Sequence, residues 1–236
     1  MNATIKLENV KHFPVLLNEV ISIISPLYGG TFIDCTFGQG GYSKKILENK
    51  KNKLIAIDRD KDVLTCASQF EKKYRNRFKF YNIKFSQLKR IKLKNNDLRG
   101  IIFDLGYSLN QIKNSKKGLS FNDKGKLNMR MGINDFSAND FISDMDENNL
   151  SRVFKIFGDE RYSKKIAREI VRIRKFKTIK TEDLVQIIDS VKKYQKTKIH
   201  NSTKIFQALR ILVNKEISEL INALINSFHL IPIGGV

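Results

Sequence analysis

Two aspartates flank a glycine turn. Asp34 stands just ahead of Gly38, Gly40 and Gly41 in FIDCTFGQGGYSKKIL (32–47), and Asp58 lies 18 residues beyond Gly40 in KLIAIDRD. Glycines let backbone N–H groups approach a ligand closely, and a carboxylate ending the next strand suits ribose hydroxyls. The pattern is therefore that of a nucleoside cofactor grip. The run Gly38-Gln39-Gly40-Gly41-Tyr42-Ser43 lacks the third glycine of the dinucleotide fingerprint. Asp34 favours S-adenosylmethionine, which has no pyrophosphate to repel and carries a cationic ammonium and sulfonium. The competing role for either aspartate is to cap a neighbouring turn.

Such a grip needs strands that end where the carboxylates stand. Residues 31–35, 54–57, 78–83 and 100–104 are short apolar runs, and residues 43–50 and 62–74 between them have helical spacing. That alternation indicates βαβ units and a mostly parallel, doubly wound α/β sheet. Leu17, Val20, Ile21 and Ile24 mark a short helix that stops at Pro26 and Gly29-Gly30. No strand run appears between 109 and 202, so residues 112–202 are expected to form an inserted helical module, with 1–111 and 203–236 as the core. Within the module a helix carries Tyr162, Ile166, Ile170 and Ile173 on one face and Arg161, Lys165, Arg168, Arg172 and Lys175 on the other. One long helix is predicted over 205–228, with Phe206, Leu209, Val213, Ile217, Leu220, Leu224 and Phe228 as its stripe.

Forty-four Lys and Arg against 24 Asp and Glu give a formal charge of +20. Residues 151–210 hold 17 basic and 6 acidic side chains, so more than half of the excess falls in one quarter of the chain. A polyanion is the first partner this suggests; the competing reading is that a lysine-rich, asparagine-rich composition reflects an AT-rich coding sequence. Cys35 and Cys66 are too few for a disulfide framework and lack Cys-x-x-Cys spacing. The first dozen residues read as neither a signal nor a transit peptide, and no stretch reads as a membrane span, so a soluble cytoplasmic protein is expected. His12, His200 and His229 are scattered, and no metal site is expected.

The stretches TFGQGGYS, IAIDRD, KFSQL, FDLGYSLNQI, KKGLSFNDKGKLNMRM, FGDERYSKKIAREIV and STKIFQALRILVNKEISEL together resemble the ribosomal RNA small subunit methyltransferase H family, from His12 to Gly235. The resemblance implies a Rossmann-like class I methyltransferase core with an inserted helical domain for RNA. It also implies S-adenosylmethionine as cofactor and methylation of N4 of a cytidine in the 16S ribosomal RNA of the small subunit. It places the cofactor against Gly40, Gly41, Tyr42, Asp58, Phe85, Asp104 and Gln111, with Asp58 on the ribose and Phe85 as an apolar face for adenine. Asp34 and Gly38 join this set from the loop itself.

Methyl transfer is an in-line displacement, so positioning the amine about 3 Å from the methyl carbon is most of the work. Cytosine N4 is a poor nucleophile because its lone pair is delocalised into the ring. Acceptors on its N–H groups help localise that pair, and Asp104 with the turn ending at Ser108 is the candidate set. The base has to be unstacked to enter the pocket, and Tyr107 or Phe121 could offer it a stacking face. Arg161, Lys165, Arg168 and Arg172 are candidate phosphate contacts; Arg130 and Arg210 are either further contacts or internal salt bridges.

The chain departs from the family pattern at Tyr42, where histidine is usual, at Leu109-Asn110 in place of Ser-Pro, at Leu119 in place of Phe, and at Asn128 in place of Asp. Its end, IPIGGV, reads as a loop leading into a fifth strand, beyond which the family continues with more sheet and an SFHSLEDR-like motif. A sheet of four core strands is expected to leave an open edge that invites association, a homodimer included. Two other functions compete: a basic RNA-binding remnant without turnover, and a nicotinamide-dependent dehydrogenase, which Ser43 and Asp34 disfavour.

Overall fold

A computed structural model describes residues 14–93, 97–107, 112, 117–123, 125–193 and 199–236. The chain divides into two compact units, Met1–Ser108 with Leu224–Val236, and Leu109–Ala223.

The first unit is an α/β fold. Its strands β1 (Gly30–Asp34), β2 (Asn52–Ile57), β3 (Phe78–Tyr81) and β4 (Leu98–Ile102) form one sheet in the order β3-β2-β1-β4, every pair parallel. Helices α1 (Leu17–Ile24), α2 (Gly41–Leu47) and α3 (Leu64–Tyr74) accompany it. Phe32, Leu54, Ala56 and Phe78 are buried with Ile46 and Leu47 of α2, which is why these strands read as near-continuous apolar runs. The chain order reverses between β1 and β4, and in open α/β sheets ligands bind beyond the strand ends at such a point. β4 begins and ends two residues earlier than the apolar run predicts, so Asp104 stands two residues past the strand. At the sheet's outer edge, Val236 N–H donates to the Arg99 carbonyl and Ile101 N–H to the Val236 carbonyl, both at 2.9 Å. That is the pattern of a parallel partner to Gly100.

Phe37, at the tip of the glycine loop, packs against Phe70, Phe78 and Phe80 at centroid distances of 5.2, 5.6 and 5.5 Å. This cluster fixes the loop through Gly40, whose φ is 74° and whose added β-carbon would stand 2.6 Å from Phe70 Cζ and 2.9 Å from Phe37 Cε2. Gly40→Ala should therefore lower stability by roughly 2–4 kcal/mol, combining left-handed strain with overpacking. Urea unfolding measures this, and an unchanged midpoint would refute the role given to the cluster.

The second unit is helical: α4 (Ala138–Asp144), α5 (Glu147–Gly158), α6 (Ser163–Ile173), α7 (Thr181–Val191) and α8 (Thr203–Asn214). Ser137 and Asp140 form a capping box on α4, and Asp146 accepts the Asn149 N–H at 2.8 Å at the start of α5. Phe154, Ile166, Ile170, Leu184 and Ile188 make its core together with Ile205, Phe206, Leu209 and Val213 of α8. A β-carbon on Gly158 would stand 2.5 Å from the Lys204 carbonyl, so glycine is what permits α5 and α8 to approach so closely.

The chain's return to the first unit therefore lies after residue 223 and not at 203, because the apolar face of α8 is buried among the inserted helices. The single helix expected over 205–228 is also broken. Lys215 adopts φ 51° and donates its N–H to the Ile211 and Leu212 carbonyls, ending α8, and α9 (Glu216–Leu230) follows. That left-handed residue shifts the helical phase. Phe206, Leu209 and Val213 are buried, whereas Ile217, Leu224 and Phe228 are exposed.

Candidate active site

The segment after β1 ties three strand ends together. Asp34 is fully buried; its Oδ2 accepts the Ser43 hydroxyl at 2.7 Å and its Oδ1 the Thr36 N–H at 3.2 Å. This joins the end of β1 to the first turn of α2. Phe37 N–H donates to the Ile57 carbonyl at 3.0 Å, and Gly38 N–H to Asp58 Oδ2 at 2.8 Å, so the loop also grips the end of β2. Thr36 Oγ1 accepts the Asp104 N–H at 2.8 Å, which adds the segment after β4. Asp34, Asp58 and Asp104 are thereby gathered where the parallel strands finish.

Burial pushes the Asp34 carboxyl up to about 6, against the hydrogen bonds from Ser43 and Thr36, and the charges of Asp58 and Asp104 push it the same way. Burial also raises Asp58, opposed by the N–H groups of Asp60 and Gly38. The hydrogen bonds that Asp34 and Asp58 accept come from backbone N–H groups and a serine hydroxyl. Among the described residues neither is in a salt bridge with lysine or arginine, in a chain of net charge +20. Each oxygen of Asp58 accepts one such bond and a carboxylate oxygen has room for two, so Asp58 retains acceptor capacity. Among the described residues Gly38, at φ 51°, has only the Thr36 carbonyl, 3.8 Å away, near the position of a β-carbon. Acceptors, negative charge and open space beside the loop fit a nucleoside that carries positive charge.

The Asp34 shift has a sign that can be measured. The folded carboxyl takes up its proton near pH 6 and the unfolded one near 3.8, so between those values the folded state holds the extra proton. Stability should fall as pH rises from about 4 to about 6, by on the order of 2–3 kcal/mol, and stay lower above. Asp34→Asn removes the ionisation and should flatten this fall in a series of urea midpoints. A wild-type midpoint that rises across the same range would contradict it.

Tyr42 is buried, and its hydroxyl donates to the Val15 carbonyl; burial pushes that hydroxyl up to about 12. The ring is thus committed to packing, and the residue's N–H belongs to the first turn of α2, where backbone donors lack intrahelical partners. Phe85 opens a short helical turn (Phe85–Arg90), half-buried and edge-on to Phe103 at 5.8 Å. Tyr107 is exposed. Ser108 and Gln111 lie outside the described residues. Thr36 and Ser43, whose hydroxyls hold the Asp104 backbone and the Asp34 carboxylate, are the site residues that sequence reasoning missed. Their signal was a hydroxyl placed two and nine residues after a strand-end aspartate.

The remaining candidates belong to the second unit. Phe121 stacks on His200 at 4.2 Å and meets Phe206 edge-on at 6.0 Å, so its ring is a packing element there. Arg130 donates through Nε to Asn128 Oδ1 at 2.7 Å, and Arg210 forms a fork with Glu216 at 2.8 and 3.1 Å across the α8–α9 break. The face carrying Arg161, Lys165, Arg168 and Arg172 is exposed as its spacing predicts. Arg172 is paired with Glu169 at 2.7 Å and Arg168 with Glu147 at 3.5 Å, while Lys165 lies 5.9 Å from the Tyr162 ring centre. Among the described residues no group of His, Cys, Asp and Glu could hold a metal, and no helix is long and apolar enough to cross a membrane.

Residues 9–236 match the MraW methylase family. The ribosomal RNA small subunit methyltransferase H of Orientia tsutsugamushi (strain Ikeda) is 40% identical over 231 residues, covering 95% of this chain and 73% of its own length. Its namesake from Wolbachia sp. subsp. Drosophila simulans (strain wRi) is 43% identical over 213 residues, or 89% and 73% of the two chains. That of Rickettsia bellii (strain OSU 85-389) is 39% identical over 225 residues, again 95% and 73%. The agreement runs through the strand-end loop and the inserted helices alike, and on that breadth this chain belongs to the MraW methylase family.

Proposed function

We propose that this protein transfers a methyl group from S-adenosylmethionine to the exocyclic N4 of a cytidine in small-subunit ribosomal RNA. The observation that carries the cofactor class is the gathering of Asp34, Asp58 and Asp104 at the strand ends of a strongly basic chain. Such a pocket attracts a cationic nucleoside and repels a pyrophosphate. Membership of a methylase family and relatives named for small-subunit ribosomal RNA support the reaction and substrate. The cytidine N4 assignment rests on the motif resemblance.

When bound, S-adenosylmethionine supplies an electrophilic methyl group on a sulfonium. The chain's residues have the remaining tasks. Asp58 accepts hydrogen bonds from ribose hydroxyls while its Gly38 contact holds the loop in place. Phe85, fixed edge-on by Phe103, is the apolar face for adenine. Asp104, whose backbone is anchored on Thr36, accepts an N–H of the incoming amine, which localises the N4 lone pair, and then the proton that the alkylated nitrogen loses. Tyr107 offers a stacking face for the unstacked base, whose extrusion costs a few kcal/mol. The basic face of α6 contacts phosphates, with the helical unit serving as the RNA-recognition module. The site of action is cytoplasmic, where this RNA is.

Labelled methyl incorporation into small-subunit RNA that lacks the modification, followed by mapping of the product nucleotide, tests the proposal. Label at N4 of one cytidine supports it. Label at another position overturns the nucleotide assignment, and RNA binding with no cofactor binding and no label identifies a remnant without turnover.

A further inference from the structure

The first unit carries a second basic surface, remote in sequence from the α6 stripe. Residues 71–84, EKKYRNRFKFYNIK, contain six basic side chains and a single acid, Glu71. Glu71 Oε1 accepts the Phe80 N–H at 3.2 Å, which ties α3 to β3. Lys72 and Lys73 end α3, Arg75 sits at the reversal, and Lys79 lies in the edge strand β3, all four exposed. Exposed Lys53 shares a sheet face with Lys79, since Ile55 pairs with Lys79 and side chains alternate, whereas Phe78 meets Phe70 of α3 on the opposite face, so the cations run from α3 round the β3 edge. Among the described residues none of these five cations is in an ion pair, whereas Arg168 and Arg172 of the α6 stripe are.

The support beneath this surface is built. Arg77 Nη1 donates to the carbonyls of Leu47, Asn49 and Asn52 at 3.3, 3.0 and 3.2 Å, bracing the reversal against the end of α2 and the start of β2. Tyr74, packed on Phe70 at 5.4 Å, takes Lys73 at 5.1 Å and Arg77 at 5.6 Å over its ring, and Tyr81 takes Lys79 at 4.8 Å. Such contacts hold flexible cations in place. Arg75 adopts φ 38° and ψ −114°, the first central conformation of a type II′ turn, where glycine is the favoured residue. An arginine there projects its charge into solvent from a strained backbone. No large apolar side chain is exposed between 71 and 84, which removes the anchor that a membrane-surface site needs.

We infer that Lys72, Lys73, Arg75 and Lys79, with Lys53 on the Lys79 face, form a second phosphate-contact surface for the RNA substrate that wraps the β3 edge of the methyltransferase unit itself. This rests on the reading of the chain as an RNA methyltransferase. The surface contacts the sugar–phosphate backbone, so it contributes affinity and register without sequence preference.

The test is salt-dependent binding of the full chain to a fluorescent small-subunit RNA fragment, comparing wild type with the combined variant Lys72→Gln, Lys73→Gln, Arg75→Gln and Lys79→Gln. Loss of four phosphate contacts should reduce the slope of log K against log salt by about 3 and weaken binding at least tenfold near physiological salt. Arg75→Gly separates charge from folding: its thermal midpoint should rise or hold while RNA affinity drops severalfold. Wild-type binding with an unchanged slope in the combined variant overturns the surface and leaves the proposed function standing. Absence of RNA binding by the wild type overturns both.

Discussion

Asp58→Ala is expected to weaken S-adenosylmethionine binding by on the order of 100-fold, with calorimetry as the measurement. Two effects combine. The ribose loses a charged acceptor, and hydrogen bonds to charged groups contribute about 1.5–3 kcal/mol each. Gly38 N–H also loses its partner, so the loop that Asp58 Oδ2 fixes at 2.8 Å is freed. Asp58→Asn, which keeps an acceptor for Gly38 without the charge, should recover part of the loss. Affinity equal to wild type in the alanine variant would remove Asp58 from the cofactor site.

The second large effect concerns turnover. Asp104→Ala should lower kcat by about 10²–10³ while changing cofactor affinity far less, because the role proposed for it is exercised on the amine as charge develops there. The anchoring contact to Thr36 runs through the backbone N–H of residue 104 and survives the substitution. Thr36→Val removes that anchor and leaves the carboxylate in place, so it should produce a smaller loss of the same kind. Equal losses in affinity and kcat for Asp104→Ala would instead make it a binding residue.

The sheet was legible in the sequence because strands buried on both faces are close to continuously apolar: residues 54–57 are wholly so, and residues 31–35 are broken only by Thr31 and Asp34. The glycine turn was legible because few residues besides glycine tolerate the backbone at Gly38 and Gly40. What could not be read was the partner of each polar group. Ser43 stood out only as a missing glycine, yet its hydroxyl is the donor that joins Asp34 to α2. Thr36 is near Asp34 in sequence, but its hydroxyl's partner, the Asp104 N–H, is brought to it only by the fold, across 68 residues. The periodicity over 205–228 was genuine, but a single left-handed residue, Lys215, was enough to turn one amphipathic stripe into two faces with different fates. Charge counting found the cations of α6 and could not see that Glu147 and Glu169 pair with two of them.

The cluster of carboxylates at the strand ends is proposed to receive a cationic nucleoside. Calorimetric titration with S-adenosylmethionine between pH 5 and pH 8, in buffers of differing ionisation enthalpy, tests it most directly. A bound cation stabilises the ionised form of Asp34, whose free carboxyl titrates near 6. Affinity should therefore tighten as pH rises through that value, with proton release on binding that fades above it. No binding at any pH, or binding of constant affinity with no proton released near pH 6, would contradict the account.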